Sequence, residues 1–281
     1  MIAFVSQFGA LLNTGACLLA SEGDALSHVL PHEVFRVGGH GIANHLVMLV
    51  VSAALMLFVF SWVARSKELV PRGPRNFFES ILQYIREDIA RPLLHERTDR
   101  FMPLLWTFFF LILFSNLLGA LPIDPILTAV TGHESHVSGT ATGNIGVTAG
   151  LALCAFFSIH ILGMREQGVR HYWKTFVPHV PAVLWPLMFV LELGGAFVKP
   201  FSLAIRLFAN MIAGHIVLAI ILGFTTLLAN SIGGLSIGVS LVSVLGATAI
   251  SLLELFVCFL QAYIFTYLTT LFIGMAVHPE H

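Results

Sequence analysis

KPFSLAIRLFANMIAGH, residues Lys199–His215, sets one arginine in a stretch otherwise apolar enough to lie in a lipid bilayer. Arg206 is the only formal charge between Lys199 and Glu254, and 47 uncharged residues follow it before Glu254. An arginine keeps its proton at any physiological pH. Placing one near a bilayer centre costs about 2.5–3.5 kcal/mol on insertion scales, so a functional reading is the default. Snorkelling to a helix end does not fit, because Arg206 would have to reach back past Lys199 to find the nearer surface.

Composition points the same way. The chain is 57% hydrophobic and 10% charged, with 24 Phe, whereas soluble domains carry about 25% charged residues. This is the profile of an integral membrane protein. The net charge of −1 says little about partners, and no basic tract of the kind that binds nucleic acid is present. Cys17, Cys154 and Cys258 sit singly in apolar surroundings and read as packing residues. The 13 histidines form no paired metal-binding motif, so no metal is expected, and no cofactor either. Without a phosphate-cradling loop the chain is expected to do no phosphoryl chemistry, and so not to be an enzyme by itself.

Apolar runs long enough to cross a bilayer as helix, about 20 residues, predict an all-α membrane protein with about five crossings. They are Ala43–Ala64, Phe101–Leu121, Asn144–Met164, Pro186–Ala229 and Ser236–Ala276. The last two exceed a perpendicular crossing and imply tilt or interfacial portions. Eight basic residues from Arg65 to Arg100 separate the first two spans, and Arg165, Arg170 and Lys174 follow the third, while 122–143 and 230–235 have none. By the positive-inside rule both basic loops face the cytoplasm, the N-terminal region lies outside and the C-terminus inside. In the first basic loop Phe78, Ile81, Leu82, Ile85 and Ile89 recur at helical spacing. They predict an amphipathic helix on the inner membrane surface, or one packed on a soluble partner. Residues 1–40 read as an outer N-terminal region, a signal-like leader or a surface helix, and residues 41–281 as one integral membrane domain.

Glu192, Lys199 and Arg206 are spaced by seven residues, as are Glu254 and Gln261, so each set shares a helical face. Pro200 should locally break the backbone ladder and bend the helix there. Residues facing each other across an antiparallel hairpin are equidistant from its turn. Arg206 with Gln261, and His215 with Glu254, both centre on Gly233-Gly234, the Gly-Gly of this uncharged stretch and a natural turn. Residues 182–276 are therefore expected to form a long tilted antiparallel hairpin. A His and a Glu within reach of one another can exchange protons near neutral pH, and intramembrane ionisable groups commonly mark proton relays. Asn210 and Gln261 do not titrate but can hold water or orient the guanidinium. A fixed cation interrupts a continuous proton wire, and it favours the ionised form of a carboxylate brought to it. No carboxylate of this chain other than Glu192 offers itself, so that partner is expected on another protein.

These residues carry a resemblance. KPFSLAIRLFANMIAGH, LELFVCFLQAYIFTYL (Leu253–Leu268), NLLGALPID (Asn116–Asp124) and ATGNIGVT (Ala141–Thr148) resemble subunit a of the F-type rotary ATP synthase, over about residues 40–276. The resemblance implies a proton-translocating stator subunit whose partners are the ring of c subunits, b-type peripheral-stalk subunits and the rest of that complex. It implies that Arg206 faces the ring carboxylate and separates two aqueous half-channels. Asn210, His215, Glu254 and Gln261 would line the outer one and Glu192 the inner one, with lesser parts for Asp124, Ser202 and Lys199. Many bacterial members carry Glu at the position of His215 and His at that of Glu254, and this exchanged order looks like the mitochondrial type. Many also carry Asp where this chain has Gly119, so no role is carried over there. The implied location is a bacterial inner membrane, with the mitochondrial inner membrane as the alternative. The rival function, a self-contained proton-coupled transporter, would show internal repeats with paired broken helices; no counterpart of the Arg206 stripe occurs in the first three spans.

Overall fold

The computed structural model describes residues 33–37, 40–65, 73–121, 140–176, 180–181, 183–231 and 236–277. Residues 1–32, Asp124 and Gly233-Gly234 lie outside the described residues. Within them a two-stranded antiparallel ribbon, β1 (Glu33–Val37) and β2 (His40–Ala43), leads directly into the first helix. The rest is helical: α1 (Asn44–Ala64), α2 (Pro74–Tyr84), a π turn (Ile85–Ala90), α3 (Arg91–Leu94), a 3-10 turn (His95–Arg97), α4 (Thr98–Ala120), a 3-10 turn (Ala141–Gly143), α5 (Ile145–Gln167), α6 (Val169–Thr175), α7 (Trp185–Ser231) and α8 (Ser236–Val277).

Five of the described helical segments are long and apolar enough to cross a membrane. An all-α membrane protein with about five crossings is therefore what forms, with ends within a few residues of those read from hydropathy. At 1.5 Å per residue, α7 and α8 run for about 70 and 63 Å, more than twice the ~30 Å hydrocarbon thickness. They pack on each other as a hairpin, α8 also packs on α4, and α7 on α5. At Pro200 the helix is not interrupted: α7 continues through it from Trp185 to Ser231. A proline removes one N–H and displaces one turn, and the flanking turns keep their own bonds.

The amphipathic segment is helical, but its apolar face has a partner within the chain. Gly73, at φ +63°, turns the backbone into α2, and Pro74 occupies the first helical turn, where its missing N–H costs nothing. Ile85, Ile89, Ala90 and Leu94 are buried in the core. Phe78 packs between Phe60 of α1 and Phe110 of α4, with ring centroids at 5.9 and 6.3 Å, and the Trp106 indole N–H donates to the Leu82 carbonyl at 3.2 Å. Phe77 and Tyr84 remain exposed.

The core centres on α4, where Phe101, Met102, Leu105, Phe108, Phe109, Phe110, Ile112 and Leu113 are buried. Lipid is as apolar as these side chains, so close packing rather than expulsion of water holds such helices together. Gly274 of α8 shows how close: a Cβ there would lie 2.8 Å from the Leu93 carbonyl oxygen. At the basic end of the bundle, Arg97 (2.8 Å) and Arg100 both bind the largely buried Glu166, tying the start of α4 to the end of α5. By contrast the outer faces of α7 and α8 expose Val190, Phe197, Phe201, Leu252 and Phe256.

Candidate functional site

Polar groups of the hairpin border two cavities at different levels along it. The first, about 350 Å³, lies toward the end without basic residues and is bordered by Asn116, Asn210, Gly214, Glu254, Cys258 and Gln261. The Asn210 side-chain N–H donates to Gln261 Oε1 at 2.9 Å. His215 Nδ1 stands 3.9 Å from Glu254 Oε1, which puts the two titratable groups within ion-pair reach. Both facing residues of α8 are buried, and Glu254 Oε1 and Gln261 Nε2 have no hydrogen-bond partner among the described residues. A buried polar group left so costs about 1–3 kcal/mol. Both residues border the cavity, whose volume exceeds that of several waters at about 30 Å³ apiece.

The pairing differs from the expected one in register. Gln261 is bonded to Asn210, one turn beyond Arg206, and not to Arg206 itself. The His215–Glu254 pair falls where the symmetric hairpin places it. Arg206 is half-buried, and among the described residues it makes no ion pair or hydrogen bond.

Two further polar residues reach this region from outside the hairpin. Asn116, buried at the end of α4, accepts a hydrogen bond from the Thr142 hydroxyl at 2.8 Å. The signal available in the sequence was an asparagine and a threonine at the ends of apolar spans, which read equally well as caps. Gly119, a turn away, has no room for a side chain: a Cβ would sit 2.1 Å from Thr140 Cγ2 and 2.8 Å from Met211 Cε. An aspartate is therefore excluded there by the path of the 140–143 segment.

The second cavity, about 520 Å³, lies at the basic end. Glu192 and Lys199 border it from α7, His160 and Phe156 from α5, Tyr172 and Thr175 from α6, and Phe272 from α8. The Lys199 ammonium sits 4.9 Å above the Phe272 ring, a cation–π contact. The Gln167 amide donates to the Ala276 carbonyl at 2.6 Å and accepts from Thr175 at 3.0 Å, closing one wall. Burial pushes the Tyr172 phenol up to about 12. Ser202 is exposed and borders neither cavity, and Asp124 lies outside the described residues. No cluster that could hold a metal ion occurs among the described residues.

The order along the two helices is informative. On α7 the basic-end cavity reaches Leu203 and the other begins at Leu207; on α8 the other ends at Gln261 and the basic-end cavity begins at Leu271. Arg206 falls in the interval where neither cavity borders α7.

Residues 46–274 match the family model described as ATP synthase A chain. ATP synthase subunit a of Myxococcus xanthus is 42% identical over 244 residues, 85% of this chain and 74% of that protein. The Chloroherpeton thalassium subunit a is 37% identical over 279 residues, covering 92% of this chain and 78% of that protein. For an Anaeromyxobacter subunit a the identity is 41% over 243 residues, 85% of this chain but 55% of the longer relative. The chain thus belongs to the ATP synthase subunit a family.

Proposed function

We propose that this chain is the proton-translocating stator subunit in the membrane sector of a bacterial F-type ATP synthase. The observation that carries the reading is the pair of separate cavities, at different levels of one helical hairpin and each bordered by polar side chains, with a permanent cation in the interval between them. Positive-inside charge places the basic-end cavity on the cytoplasmic side, with the C-terminus cytoplasmic and the N-terminal region outside. Protons enter the outer cavity past His215 and Glu254. They load a carboxylate of a c-subunit ring turning against the exposed apolar face of α7 and α8. After a passage through lipid, each carboxylate meets Arg206, whose charge stabilises the ionised form and makes it release its proton toward Glu192. Arg206, having no ion-pair partner among the described residues, is available for that encounter. Each crossing supplies about 2.3 kcal/mol per 100 mV, so several protons must accumulate per ATP made. Synthesis itself falls to the soluble sector, held against rotation by b-type stalk subunits.

The test is ATP-driven proton pumping in inverted membrane vesicles carrying Arg206→Ala in the assembled complex, with passive leak recorded in the same preparation. Pumping is expected to vanish while leak rises. Wild-type pumping in the variant would overturn the assignment.

A further inference from the structure

His160 sits on α5, outside the hairpin, and no step above uses it. Its Nδ1 lies 2.6 Å from the Tyr172 hydroxyl. The ring is packed edge-on against Phe156 at 4.3 Å and stands near Phe176 at 6.4 Å. These contacts hold one orientation, and the residue is only half-buried because it borders the 520 Å³ basic-end cavity together with Glu192 and Lys199. The groups facing it are Tyr172 from α6, Glu192 and Lys199 from α7 and His95 from the turn after α3; α8 brings no charged residue to this cavity. A histidine inside an apolar span is a costly placement that needs a reason. A structural histidine would be satisfied by its tyrosine alone and would not need to open on a polar cavity.

We propose that His160 is a proton-handling residue of the basic-end half-channel, taking protons delivered past Glu192 and passing them to cytoplasmic water. With Nδ1–H donating to the Tyr172 oxygen, Nε2 holds the lone pair. It accepts a proton from cavity water during synthesis and returns it to water, and the same two transfers run backwards during pumping. This inference rests on the half-channel reading of the preceding subsection.

The experiment compares His160→Ala, His160→Gln and Arg206→Ala in assembled complexes in inverted vesicles. Pumping is followed as external pH, which bathes the cytoplasmic face, is varied through neutrality, with and without added imidazole. General acid–base groups contribute ~10²–10⁴-fold when a proton transfer limits the rate; a relay beside bulk water, which can partly replace it, should show a smaller loss of about tenfold. His160→Gln, which keeps a hydrogen bond to Tyr172, should lose as much as His160→Ala and lose the inflection that His160 contributes to the wild-type pH profile. Imidazole should restore His160→Ala, since the cavity has room for it. Full pumping in His160→Gln with the wild-type pH profile, or a loss in His160→Ala that imidazole leaves untouched, would overturn the proposal. If His160→Ala assembles poorly, the pH profile of His160→Gln decides. Loss in Arg206→Ala beside unaffected His160 variants rejects this inference alone; pumping that survives in Arg206→Ala rejects the half-channel reading beneath it.

Discussion

Glu254 is a carboxylate buried in an apolar helix with a histidine 3.9 Å away and a cavity at its side. Gly214 makes room for it, since a Cβ there would lie 3.0 Å from Glu254 Oε1. If the two groups act as one proton-exchanging pair, their order across the hairpin matters less than their coexistence. His215→Glu or Glu254→His alone should each reduce ATP-driven pumping by roughly tenfold or more, as removal of a proton-transferring group does. The double exchange should recover a substantial part, measured in the same vesicles. Equal loss in all three would show that the residues do not interact. The candidacy of both was visible from their charge in an apolar run, and their pairing from the symmetry of the hairpin. The bond between Asn210 and Gln261 was not, because a shift of one helical turn leaves the hydrophobic pattern of both helices unchanged.

Among the elements, the segment from α2 to α3 is the one whose surroundings sequence periodicity left open. Helical spacing of Phe78, Ile81, Leu82, Ile85 and Ile89 identifies an apolar face but not what covers it. In the fold Ile85 and Ile89 go into the core beside α4, and α8 closes over α3 at Gly274. The atom opposite Gly274 is a backbone oxygen, which cannot rotate away. Gly274→Val should therefore force α8 from α3 at a cost of about 1–3 kcal/mol, typical of overpacking. It should be read as a lowered unfolding temperature or reduced incorporation of the subunit into the membrane complex. Gly150→Ala on α5, where nothing lies within 4 Å, is the matched control and should behave as wild type. Wild-type stability for Gly274→Val would mean that α3 and α8 are not packed this closely. The Glu166 clamp is the polar counterpart, one acidic residue holding Arg97 of the 3-10 turn and Arg100 of α4 at the basic end.

At the scale of the whole molecule, the claim is that two cavities open to opposite sides of the membrane and do not meet. In a background with Cys17, Cys154 and Cys258 replaced, Asn210→Cys and Ala196→Cys place a thiol in one cavity each. A membrane-impermeant thiol reagent added outside should modify position 196 only in inverted vesicles, where the cytoplasmic side is exposed, and position 210 only in right-side-out ones. Modification of both from a single side would mean one continuous channel and remove the role assigned to Arg206. What the chain by itself determined is the number of crossings, the clustering of its basic residues in two loops, the isolated arginine and the opposition of His215 to Glu254. Each of these follows from local composition or from the symmetry of two consecutive helices, which hydrophobicity and charge specify directly. Only the tertiary structure decided the Asn210–Gln261 register, the covering of α2 by α4, the lack of space at Gly119, and the meeting of His160 with Tyr172, Glu192 and Lys199. Those depend on helices distant in sequence and on packing at ångström resolution, where residues of one hydropathy fit in many arrangements and shape alone selects among them.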